Sequence, residues 1–503
     1  MTTPLTLDGS PLTIQDVLQV ARQDRRVQLA PVAVAAMTRA RGVVEAAMAD
    51  GLPHYGINTG FGSLSRQRIG EADLRTLQQN LLRSHSAGVG DPLPRDVVRG
   101  MMVLLAASLA RGCSGVRPVV VEGLLGLLNA GVTPRVPSTG SVGASGDLAP
   151  LAALGLVLSG EGRARVGGGP EVPGAEALRV SGLTPLPLEA KEGLAIINGT
   201  HLMASRGALL CADADRLFKA AMMAAAMSVD ACRGTDSYLD ARVHEVRKQP
   251  GQARVASELR GYLAGSQIVP SHAENDPRVQ DPYSLRCVPQ VLGAALDCLE
   301  YVKQSIGREL GAVTDNPLVL GGDVISAGNF HGMPLAIPLD ALSIAISHVA
   351  GIAERRVFWM TSAFDPESHL RPYLTPDPGL CSGLMIAQYT AAACCNELVG
   401  LATPASVANV PTSAEIEDYN SFGPRAAAKA ARGLELAEYV VAIELLCAAA
   451  GLDVHRPLRS GARVERAHAL VRSVAPPLTA DRELTPDIEA IAGLIRRGEL
   501  EAC

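Results

Sequence analysis

The sequence predicts a mainly α-helical protein built from long helices packed against one another. Three observations carry that expectation. The segments 95–111, 205–232, 284–310, 334–363, 381–401 and 425–451 are rich in Ala, Leu, Met and Glu, with apolar residues recurring at three and four positions. Several of these segments are apolar on every side, which suits a helix enclosed in a bundle or against another subunit. Aromatic residues make up only 3% of the chain, as close packing of alanine-rich helices allows.

Taken in order, the first part of the chain departs from this pattern. HYGINTGFGSLS, residues 54–65, sets Gly56, Asn58, Gly60 and Gly62 among aromatic and hydroxyl residues, which excludes a regular helix and predicts a loop. A strongly apolar helix is expected to begin at Leu148, just after GSVGASGD, residues 140–147. RARVGGGPEVPG, residues 163–174, reads as a small hairpin or loop. We therefore expect an N-terminal region over 1–200, and a long-helix bundle with a C-terminal helical region over 201–503, as one continuous unit.

Composition narrows the partners. The 503 residues, 48% of them hydrophobic, are enough for a large core, and a net charge of −6 gives no basic field for nucleic acid. The start MTTPLTLDGS has neither the basic nor the apolar part of a signal peptide, and runs such as MMVLLAASLA, from Met101, are about half the ~20 residues of a membrane span. The expectation is a cytoplasmic protein acting on a small molecule, without membrane or nucleic acid. The ten cysteines include no C-x-x-C pair and are expected to be reduced.

Ala144, Ser145 and Gly146 admit two readings. Small residues before Asp147 make an ordinary helix start, with Ser145 or Asp147 near its N-terminus. They also leave room for a sharp bend in which the Gly146 nitrogen attacks the carbonyl of Ala144. Loss of water from the ring and from Ser145 would then leave a methylene conjugated to an imidazolone, which is a strong electrophile.

Other segments weight the second reading. GSVGASGDLAPLA, YGINTGFG, LRSHSAGVGDP (82–92), KEGLAIINGT (191–200), VQDPYSLRCVPQ (279–290), TDNPL (314–318) and GNFHG (328–332) occur in register, and together the chain resembles the aromatic amino acid ammonia-lyase family. That family carries the self-made cofactor 4-methylidene-imidazol-5-one, MIO. The resemblance implies the mainly α fold of the fumarase/aspartase-like superfamily, as a homotetramer around long central helices, with active sites assembled from three subunits. It implies that Ala144, Ser145 and Gly146 form MIO autocatalytically, with no metal or pyridoxal phosphate.

By the same resemblance Tyr55 is the base on a mobile lid loop, taking the β-proton with a phenol of lowered pKa. Tyr283 lies near the MIO, Arg286 clamps the substrate carboxylate, and Asn198 and Gln280 hydrogen-bond the MIO oxygen or the substrate. Phe330 lines the pocket, and Asp147 with its following helix aids ring closure. Seen alone, each of these has an ordinary structural reading as a turn, core or surface residue.

Substrate choice rests on EIEDYNSFG, from Glu415. Glu417 stands where enzymes for histidine have a glutamate and those for phenylalanine or tyrosine a glutamine, and His85 matches a histidine of the histidine enzymes. A carboxylate accepts an imidazole N–H, whereas a phenyl ring offers it nothing. The expected reaction is elimination of ammonia from L-histidine to give trans-urocanate. The alternatives are an MIO aminomutase making a β-amino acid, or a lyase for tyrosine or phenylalanine. Departures from the histidine pattern cluster near the substrate end: Ile416 for glutamine, Tyr419 for histidine, His201 for glutamine, and CCNELVGLATPAS from Cys394.

Overall fold

A computed structural model describes residues 3–503. Helices dominate it, and each long helix expected from the periodicity is present: Arg95–Ala110, His201–Ala231, Val288–Glu309, Met333–Ser362, Met385–Ala402 and Gly423–Val454. The hairpin expected at 163–174 also forms, with Arg163–Val166 antiparallel to Glu171–Pro173 and a third strand, Val132–Pro134, on its other edge. The ten cysteines are all free. One described helix, Met333–Ser362, is long and apolar enough to cross a membrane, and 61% of its most apolar stretch is buried inside the protein.

The chain divides into two compact units. One holds the chain up to Leu209 together with Lys303–Leu339 and Ala405–Ala428; the other holds Leu210–Val302, Asp340–Pro404 and Lys429–Cys503.

The first unit contains the described strands, in four small sheets, among them a hairpin of Leu318–Leu320 with Asp323–Ile325. Its central feature is the way the Leu148–Leu158 helix starts. Asp147 precedes that helix, but its carboxylate makes no cap to it. It reaches instead to the first turn of the His201–Ala231 helix, where Oδ2 accepts the amides of Leu202 at 2.9 Å and Met203 at 3.1 Å. One buried carboxylate thus ties together the starts of two helices, each end offering partial positive charge.

The second unit is helical and packs through small residues. A side chain added at Gly451 would stand 2.8 Å from Ala231 Cβ, so the Gly423–Val454 and His201–Ala231 helices meet at a spacing that alanine and glycine permit. Arg356 and Glu444, both fully buried, pair at 2.5 Å, and Ser228 donates to the same carboxylate at 2.7 Å. Three long helices are joined by that cluster, and Arg356 Nη1 also donates to the Ser284 carbonyl at 3.1 Å.

Candidate active site

A cavity of about 870 Å³ opens in the first unit, and Ala144 and Ser145 form part of its wall. The backbone around them is held from two directions. Gly146 bridges in parallel to Gly199, with Asp147 N donating to Gly199 O at 2.7 Å. Gly146 has φ +72° and Gly199 φ +123°; a side chain at Gly146 would overlap the Gly199 carbonyl, and one at Gly199 would stand 2.5 Å from Thr314 Oγ1. From the other direction, Phe422 N donates to Val142 O at 2.9 Å and Ser421 Oγ donates to Gly143 O at 2.9 Å. The triplet is therefore a bent segment whose neighbours leave it little freedom.

Asp147 is wholly buried, and removal from water pushes its pKa up to about 7 despite the two helix amides and Ser141 Oγ, which donates at 3.2 Å. His201, expected at the substrate end of the pocket, does not line this cavity; it is buried with neither ring nitrogen hydrogen-bonded, and burial draws it down to about 3, so the ring is neutral.

Tyr55, His85, Asn198, Phe330 and Glu417 all line the same cavity as the triplet. Glu417 closes a tight turn through paired backbone hydrogen bonds with Thr412, whose hydroxyl donates to Oε2 at 3.0 Å. Its Oε1 accepts from Ser145 Oγ at 3.2 Å. His85 Nδ1 donates to the Leu81 carbonyl at 2.9 Å, which leaves Nε2 as the acceptor, and burial lowers the ring's pKa so that it stays neutral. Asn198 donates Nδ2 to Asn316 O at 3.1 Å and Asp315 Oδ1 at 3.4 Å, while its own Oδ1 is buried without a partner.

Tyr55 corrects one expectation. Its phenol is raised, not lowered, because burial penalises the phenolate and the Glu417 carboxylate adds to the penalty; the Gly62 amide only partly opposes them. Ile416 and Tyr419, two of the departures noted above, also line the cavity, and Tyr419 stacks on His331 with ring centres 6.3 Å apart.

Gln280, Tyr283 and Arg286 belong to the second unit and do not line this cavity. They form a cluster of their own: the Arg286 guanidinium lies 4.6 Å from the Tyr283 ring centre and donates to Gln280 Oε1 at 2.7 Å. Gln280 and Tyr283 are exposed, Tyr283 to 70%. Sequence reasoning did not find Ser421, Asn316 or the Lys191–Asp315 pair, because each acts through a partner distant in the chain, nor Thr412, whose role depends on the tight turn that brings it to Glu417. Among the described residues no group of three or more His, Cys, Asp or Glu is placed to hold a metal ion.

A bent Ala-Ser-Gly segment thus shares one cavity of a long-helix fold with a tyrosine, a histidine and a carboxylate, an arrangement that suits a lyase acting on an aromatic amino acid. The chain belongs to the aromatic amino acid lyase family, whose model matches residues 12–473. It is 48% identical over 506 aligned residues to a histidine ammonia-lyase of Anaeromyxobacter sp. (strain K), covering 99% of both chains. The crystal structure of histidine ammonia-lyase from Trypanosoma cruzi superposes with a TM-score of 0.92 at 38% identity, over 99% of this chain and 94% of that one. The tyrosine aminomutase of Streptomyces globisporus superposes with 0.93 at 33% identity, over 99% and 98%.

Proposed function

We propose that this chain is a histidine ammonia-lyase, which converts L-histidine to trans-urocanate and ammonia with an MIO electrophile made from Ala144, Ser145 and Gly146. The observation that carries the substrate is Glu417, whose carboxylate sits 3.2 Å from Ser145 Oγ. Support for the electrophile comes from the bend at Gly146 and from the close approach of the Gly199 carbonyl, which a side chain at Gly146 would overlap. When formed, the group supplies an electron sink that makes the substrate's amine a leaving group.

The chain's own residues do the rest. Tyr55 takes the β-proton as the C–N bond breaks and the double bond forms. Glu417 accepts the imidazole N–H, and neutral His85 offers Nε2 as a second acceptor. Phe330 gives the ring an apolar wall. Arg286, with Tyr283 and Gln280, would enter the cavity from a neighbouring subunit of a homotetramer, binding the substrate carboxylate; the exposure of Tyr283 and Gln280 in the single chain supports this. A guanidinium there also favours the Tyr55 phenolate, opposing the burial that raises it. The loop 54–65 acts as the lid that excludes water.

Ile416 and Tyr419 in the cavity favour a second reading, an aminomutase that returns the amine to the β-carbon. Incubation with L-histidine decides. Urocanate with equimolar ammonia supports the lyase; an isomer of histidine with little ammonia makes the chain an aminomutase; turnover of tyrosine alone rejects both histidine readings.

A further inference from the structure

Lys191 and Asp315 form an ion pair at 2.5 Å with side-chain exposures of 0% and 3%. Such a pair is costly to bury and is retained where it fixes something. Lys191 has φ +75° and precedes the short helix Glu192–Ile197, and Asn198 follows that helix directly, so the pair and the amide are joined by six residues of rigid backbone. The carboxylate is fully engaged: Oδ2 takes the lysine, and Oδ1 takes Asn316 N at 2.6 Å and Asn198 Nδ2 at 3.4 Å.

The acceptors around Asn198 leave its amide one orientation. Asp315 Oδ1 and the Asn316 carbonyl have no hydrogen to give it, so a flipped amide would set oxygen against oxygen at both contacts. Nδ2 is therefore held away, and Oδ1 is left buried without a partner on a residue that lines the cavity beside the triplet. Oδ1 needs a donor. The imidazolone ring has none, since ring closure removes the Gly146 amide hydrogen and its other nitrogen is imine-like.

We propose that the Lys191–Asp315 pair is a positioning element that locks the Asn198 amide with its oxygen toward the cavity, so that Asn198 accepts a hydrogen bond from the substrate's amine. This rests on the histidine reading above, and it decides between the electrophile and the substrate as the partner of Asn198. Lys191 and Asp315 act through Asn198 and touch no reacting atom.

The test uses Ser145→Ala protein, which cannot form the electrophile, and calorimetric titration with two probes, L-histidine and 3-(imidazol-4-yl)propanoate, which lacks the amine. Adding Asp315→Asn or Asn198→Ala should weaken L-histidine roughly tenfold or more, as loss of a hydrogen bond to a charged group does. The analogue's affinity should stay within about twofold, below the ~0.5 kcal/mol scale of an ordinary hydrogen bond. Lys191→Gln, which removes the charge facing Asp315 but keeps a donor for it, should show a smaller loss of the same kind, confined to L-histidine, and decides the matter if Asp315→Asn does not fold. Equal loss for both probes, or no loss for either, overturns the proposal. Failure of the Ser145→Ala parent to bind L-histidine overturns the substrate reading itself.

Discussion

The triplet segment and the loop at 54–65 face the same cavity but are built differently. Residues 142–147 are held by partners far away in sequence, at Gly199, Leu202, Met203, Ser421 and Phe422, and Ala144, Gly146 and Asp147 are buried. The loop is held mostly by itself: Asn58 N donates to His54 O, Gly60 N to Gln67 O, and Ile69 N to Asn58 O. Its residues Ser63 and Leu64 are exposed, whereas residues 56–60 are buried, Ile57 completely. Long-range clamps tie the triplet to two helix starts, while the outer part of the loop rests on local turns, where opening costs less than at a packed core. The proposed function asks for one of each: a held segment to close on itself and a yielding one to admit a substrate.

The rigid side should show the largest effects. Ser145→Ala should abolish turnover and remove the electrophile's absorbance; a near-normal rate would reject the triplet's role. Gly199→Ala places a methyl group 2.5 Å from Thr314 Oγ1 at φ +123°, and should lower the fraction of chains carrying the electrophile, measured by the same absorbance.

On the yielding side, Tyr55→Phe should leave the fold and the electrophile intact but reduce turnover by about 10²–10⁴-fold, the range of a general base. A loss of only a few fold would point to another base. Glu417→Gln should be smaller still, weakening histidine turnover roughly tenfold and tyrosine turnover less. Equal effects on the two substrates would mean that Glu417 does not read the ring.

Asp147 gives the most modest and most specific test. A carboxyl held at about 7 in the folded protein, against an ordinary 3.8, binds a proton that the unfolded chain has released. Its contribution therefore favours folding at low pH and declines as pH rises from about 4 to about 7. Asp147→Asn should remove that slope, so the variant's melting temperature should approach, or exceed, that of the parent more at pH 8 than at pH 5. Parallel curves would show that Asp147 is already ionised throughout.

Much of this was legible before the fold was known. Helix periodicity located the long helices, and the motif residues Tyr55, His85, Asn198, Phe330 and Glu417 meet in one cavity with the triplet. What the sequence hid are quantities set by distant partners. Asp147 looked like the cap of the helix that follows it, yet it serves another helix 55 residues on, and only the fold shows which amides reach it. The Tyr55 phenol was expected to be lowered for its task, and burial beside Glu417 raises it instead. KEGLAIINGT and TDNPL stood out as motifs, but nothing local in either says that Lys191 and Asp315 pair.

The central claim is that the clamped triplet closes on itself, and the peptide that contains it reports this directly. Mass spectrometry of that peptide, from protein purified without reductant or amine, should find it lighter than the encoded sequence by two molecules of water, with the Ser145→Ala peptide at most one lighter. A peptide of the full encoded mass in active protein would contradict the account.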